Sequence, residues 1–115
     1  LKSYILSSIL LVSGYNIPVK SETVMASYYG HGENLQHYTS SGERFNPKEF
    51  TAAHRTLPFG TRVKVSIGNR SVIVKINDRG PARYTGRDID LSYSAARELG
   101  LLARGTGRVQ LEILY

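Results

Sequence analysis

The sequence predicts an all-β domain, a small closed barrel of about six short strands with one short helix. Three observations carry this. Apolar and polar residues alternate at period two, with many β-branched side chains, in several runs bounded by Gly, Pro, Asn and Ser. Only one segment has helical spacing. The last alternating run has no strand-like neighbour in sequence, so it must pair far back and close the sheet. At 115 residues the chain fits one domain, large enough for a core without great margin.

The elements follow in order. Lys2 precedes YILSSILLVSG (4–14), a short apolar stretch shaped like a secretory signal. A buried N-terminal helix is the competing reading, but the run has no polar face and meets Asn16, Pro18 and Lys20. Residues 1–23 are thus expected to be a signal-like segment and linker, and 24–115 the barrel domain. Leu11-Val12-Ser13-Gly14 resembles the start of a lipobox, but Tyr15 stands where the lipidated Cys would be. Export to the periplasm or cell envelope is expected, without that anchor. VMASYYG (24–30) is a β-prone run stopped by Gly30. Residues 30–47 lack periodicity and read as a long functional loop. TAAH (51–54) is a short strand and LPFGT (57–61) a turn. RVKVS and SVIVKI alternate on either side of Ile67-Gly68-Asn69-Arg70, a hairpin. Ile73, on the second face, predicts partial cover there. DIDL (88–91) is another strand. SYSAARELG has Ser92 as N-cap, Ala95, Ala96 and Leu99 on one side, and Gly100 as stop. GRVQLEILY supplies the final strand.

Composition narrows the function. Fifteen Lys and Arg against nine Asp and Glu give +6, which favours anionic partners such as nucleic acid, anionic lipid or an acidic wall polymer. The basic residues are scattered, unlike the stripe of a nucleic-acid binder, and no nucleic-acid partner is expected. With no Cys there is neither a disulfide framework nor a cysteine zinc site. His31 and His37, six apart in a loop, are a weak metal signal, and no metal or cofactor is expected. There is no phosphate loop or nucleotide fingerprint. Asp78, where an alternating run opens into NDRGP, is either an Asx-turn residue or an acid at a barrel rim.

The blocks ASYYG (26–30), SGERFNP (41–47), TAAHRTLPFGTRVKV (51–65), VIVKINDRGP (72–81), GRDIDLS (86–92) and AARELGL (95–101), in this order, closely resemble the rare lipoprotein A (RlpA)-like double-psi β-barrel family. The resemblance spans residues 26–114. It implies a six-stranded double-psi barrel with one or two short helices. It also implies a lytic transglycosylase cleaving the MurNAc–GlcNAc β-1,4 bonds of peptidoglycan glycan strands and leaving 1,6-anhydro-MurNAc ends; a monomer is expected. There the substrate's own 6-hydroxyl attacks, so one residue serves as acid and then base. The resemblance places this machinery on Asp78, His54 and Glu43. Asp78 is the expected acid/base, its proton held by burial or by a carboxylate such as Glu43. His54 is expected to orient Asp78 or substrate and to titrate near neutrality. Asp90 in IDLS resembles a functional Asp of expansins and is a rival. Tyr28, Tyr29 and Tyr38 are candidates for a sugar platform, with Arg79, expected to point outward, and Asp90 as further substrate contacts. Tyr28 stands where the family usually has Trp, and the loop after Gly30 differs from the usual shorter basic one. A non-catalytic expansin-like wall-binding module is the alternative.

Overall fold

The computed structural model describes residues 10–12, 15–17, 21–30 and 37–115. β1 (Leu10–Val12) and β2 (Tyr15–Ile17) pair antiparallel in a sheet of their own. Most of the signal-like segment lies outside the described residues. The stretch 15–23, read as linker, holds β2 and the first residues of the barrel.

The remaining strands are β3 (Glu22–Tyr29), β4 (Thr51–His54), β5 (Arg62–Ile67), β6 (Arg70–Asp78), β7 (Ile89–Ser92) and β8 (Gly107–Leu114). They close into a six-stranded barrel in the order β3-β7-β4-β6-β5-β8. β3/β7 and β4/β6 run parallel and the other pairs antiparallel. The long-range closure expected of the last strand is made by β8, which lies between β3 and β5. This is the six-stranded barrel implied by the sequence.

Period-two alternation sends one face inward. Ala26, Val63, Val65, Val74, Ile76, Ile89, Leu91, Val109 and Leu111 are all buried in one cluster. Each large member is worth about 1.5–3 kcal/mol on burial, and in a chain without disulfides this cluster is the main source of stability. Ile73 is 43% exposed, so cover over that face of β6 is partial at this point.

The helix α1 (Tyr93–Leu99) begins where predicted. Ser92 Oγ accepts the Ala95 N–H at 3.3 Å and donates to the Glu49 carbonyl at 2.7 Å. Gly100 ends it in the left-handed region, and Ala95, Ala96 and Leu99 are buried. One 3-10 turn covers Arg83–Thr85. Among the described residues no helix is long and apolar enough to cross a membrane.

Topology decides where chemistry can occur. Parallel β4 and β6 run out at the same barrel end, and antiparallel β7 begins there. His54, Asp78 and the 79–88 loop therefore emerge together.

Candidate active site

The register at this end contains an irregularity. Ala52 pairs with Ile76, but Ala53 pairs with Asp78, so Asn77 is an extra residue on β6. Ala53 pairs on its other side with Asp90, and Asp90 with Ser27. Asp78, Ala53, Asp90 and Ser27 thus form one row across four strands. Two strand spacings put the Cα atoms of Asp78 and Asp90 about 10 Å apart, with a methyl group between them.

Asp78 is half-buried at the end of β6. Its Oδ1 accepts three hydrogen bonds, from the Ser40 N–H (2.9 Å), the Ser40 hydroxyl (2.8 Å) and the Arg79 N–H (2.9 Å). Oδ2 takes none from the described residues. Ser40 belongs to a small hairpin bridged at Tyr38 and Arg44 and closed by Thr39 N–H to the Glu43 carbonyl (2.7 Å). Ser41 N–H donates to the Asn77 carbonyl at 3.2 Å, which seats this hairpin on the end of β6. A simple turn residue would not need these distant partners, 38 positions away in sequence.

Glu43 sits on the same hairpin but turns elsewhere. Its carboxylate takes Lys75 Nζ at 2.7 Å and Asn77 Nδ2 at 3.0 Å. These hydrogen bonds hold its pKa below the usual carboxylate value. It is therefore placed to orient Asn77 and the hairpin. Asn77 is 3% exposed, and its Oδ1 has no partner among the described residues. Ser41, Glu43, Phe59, Lys75 and Asn77 line a depression of about 320 Å³ beside this pair.

His54 corrects an expectation. Burial, then the positive charges of Arg55 and Arg79, push its pKa down from 6.5 to about 4, against the opposing charge of Asp88. It is neutral near pH 7 instead of titrating there. Nδ1 accepts the N–H groups of Thr56 and Leu57, each at 3.2 Å. The ring proton consequently lies on Nε2, and His54 is a hydrogen-bond donor there.

The expected substrate contacts separate. Tyr28 shares its face with Ala26 and pairs with Leu91, on the core side. Its hydroxyl donates to the Leu102 carbonyl at 3.1 Å, and its ring meets Tyr93 edge-on at 6.1 Å. It braces the barrel against the helix side and leaves the Asp78 row. Tyr29 stacks on buried Phe45 at 4.8 Å, and His37 stacks on Phe45 at 5.1 Å. Tyr38 is exposed, with Arg44 over its ring at 5.6 Å. Arg79 is exposed as expected. Its Nη1 donates to the carbonyls of His54 (3.1 Å) and Leu57 (2.9 Å), and its guanidinium lies 4.0 Å from the centre of the Phe59 ring. Asp90 Oδ1 accepts the Ser27 hydroxyl at 2.8 Å, and Ser27 in turn accepts Arg87 Nη1 at 2.8 Å.

Sequence reasoning missed Arg55 and Asp88. Arg55 donates to the carbonyls of Pro81 (2.9 Å) and Arg87 (2.7 Å) and pairs with Asp88 at 3.1 Å. Asp88 Oδ2 accepts the Met25 N–H at 2.9 Å. Together they pin both ends of the loop that follows Asp78. The only signal in sequence was a charge next to one chosen residue, His54, and a charge two positions before another, Asp90. Among the described residues no group of three or more metal-ligating side chains gathers; His31 lies outside them.

Comparison with known proteins agrees with this architecture. A family model described as lytic transglycolase matches residues 21–111. A probable endolytic peptidoglycan transglycosylase RlpA of Nostoc is 54% identical over 93 residues, covering 78% of this chain and 25% of that protein. The endolytic peptidoglycan transglycosylase RlpA of Haemophilus influenzae is 50% identical over 93 residues, covering 79% and 32%. The chain thus spans about a quarter to a third of the length of these relatives. Among solved structures, a Streptomyces papain inhibitor superposes with TM-score 0.67 at 23% identity, covering 84% of this chain and 96% of that one. A Clavibacter michiganensis expansin superposes with TM-score 0.67 at 19% identity, covering 84% and 51%. These last two share the fold.

Proposed function

Since the chain belongs to the RlpA-like double-psi β-barrel family of lytic transglycolases, we propose that it cleaves the MurNAc–GlcNAc β-1,4 bonds of peptidoglycan glycan strands. The products end in 1,6-anhydro-MurNAc, and the protein works outside the cytoplasm, in the periplasm or cell envelope. The observation that carries the reading is the Asp78 carboxyl, oriented through Oδ1 by three donors while Oδ2 is left to substrate.

Oδ2 delivers a proton to the glycosidic oxygen as the bond from MurNAc C1 breaks. The MurNAc 6-hydroxyl adds to C1 and returns its proton to Asp78, so the carboxyl ends as it began. Neutral His54 offers Nε2–H to substrate or carboxyl without changing charge. Glu43 acts through Asn77 and the hairpin that carries Ser40. Asp90, about 10 Å away along the row, contacts a neighbouring sugar. Basic residues suit an anionic wall.

The test is digestion of purified sacculi by the full chain, with mass spectrometry of the soluble products, beside Asp78→Asn. Asn keeps an oxygen for all three donors to Oδ1 but has no acidic proton to deliver, so the variant should stay folded within about 1 kcal/mol. Anhydro products from the wild type, lost at least a thousandfold in the variant, are expected. Absence of products while the protein pellets with sacculi would make it a wall-binding module.

A further inference from the structure

The 79–88 loop carries a feature that neither the barrel nor the acid/base chemistry uses. Tyr84 is 93% exposed. Among the described residues no hydrogen bond, ring or cation engages it. The other exposed rings at this barrel end are engaged: Phe59 has Arg79 over it at 4.0 Å, and Tyr38 has Arg44 over it at 5.6 Å.

An exposed aromatic on a mobile loop would mean little. This loop is built to hold still. Arg55 fixes the carbonyls of Pro81 and Arg87. Asp88 N–H donates to the Met25 carbonyl at 2.8 Å, and Met25 N–H returns a bond to the Asp88 carboxylate. Inside the loop, Thr85 Oγ1 donates to the Ala82 carbonyl at 2.6 Å and accepts the Arg87 N–H at 3.2 Å. Gly86 N–H closes the turn on the Arg83 carbonyl at 3.1 Å. The backbone on both sides of Tyr84 is therefore tied down. A ring carried on a fixed backbone binds with less ordering cost than one on a loose loop, and an aromatic face suits the apolar face of a pyranose. The loop starts at Asp78 and returns to β7 beside His54, so the ring stands at the same barrel end as both.

We propose that Tyr84 is a sugar-stacking platform that binds a pyranose ring of the glycan strand next to the one attacked. This rests on the glycan substrate assigned above. It does not require that the chain cut that glycan.

The experiment separates the two. Binding of Asp78→Asn to soluble uncrosslinked glycan oligosaccharides is compared with that of Asp78→Asn carrying Tyr84→Ala, Tyr84→Phe or Tyr84→Trp. Turnover of the same oligosaccharides is followed with the Tyr84 variants alone. Tyr84→Ala should weaken binding, and raise KM, five- to twentyfold. Its kcat should stay within twofold and its thermal midpoint unchanged. Phe and Trp should restore binding, because the ring face is what matters. Wild-type affinity in Tyr84→Ala overturns the proposal, as does a loss that Phe and Trp fail to restore. A wild type that binds but never cleaves sinks the enzyme reading alone, and the binding series still decides on Tyr84.

Discussion

His54 gives the most quantitative prediction. Its imidazole has a pKa near 4 in the folded chain and 6.5 in the unfolded reference. The folded value is the lower one, so the unfolded chain binds more protons between these limits. Stability from this group is therefore intact above about pH 7, falls as pH drops through 6.5, and stops falling below about 4. Between pH 7.5 and 4.5 the full shift would cost about 2.5 kcal/mol, and about 1–2 kcal/mol after allowing for the ring's partial exposure. The assay is urea unfolding at both pH values for wild type and His54→Asn. Asn Oδ1 can still accept the Thr56 and Leu57 N–H groups, and subtracting its pH response removes that of the other histidines and the carboxylates. NMR titration of the ring checks the same point directly. The acid limb of activity should likewise show no step near pH 6.5 from this residue. A ring resonance titrating near 6.5, or equal pH responses of the two proteins, would refute the reasoning and return His54 to a group that changes charge near neutrality.

Two other substitutions probe the frame. Arg55→Ala removes two bonds to carbonyls and an ion pair at a mostly buried guanidinium, so urea unfolding should show a loss of about 2 kcal/mol; kcat should fall more than KM rises, because the loop after Asp78 is loosened. Gly30→Ala should cost about 2–4 kcal/mol by the same measurement, since φ is +101° and a Cβ would stand 2.6 Å from the buried Phe45 ring; a loss under about 0.5 kcal/mol would contradict that packing.

Local signals in the sequence reached most of the fold. Alternation located β5, β6 and β8, and a serine and a glycine bounded α1, because these features depend on residues within a few positions of one another. Partner choice was not legible. Lys75 lies 32 positions from Glu43, and Asp88 33 from Arg55. Only barrel closure brings them together. The depressed pKa of His54 depends on the same closure, which buries the ring beside two arginines. Tyr28 is different, because its orientation was available: it is two residues from Ala26, so period two sends both to the core side.

Asp78 shows why the same rule fails where function sits. Val72, Val74 and Ile76 are buried, so strict alternation along β6 would turn Asp78 inward as well. A carboxylate in that dry interior would cost several kcal/mol and would meet no substrate. The extra residue, Asn77, breaks the period and sets Asp78 in the row of Ala53, Asp90 and Ser27. Asn77 in turn ties Glu43 to the strand, and the hairpin holding Glu43 brings Ser40 to Asp78. One inserted residue thus moves the carboxyl out of the core, and the same residue anchors the hairpin that orients it. The departure from pattern is local in the chain, but its consequence appears only across four strands.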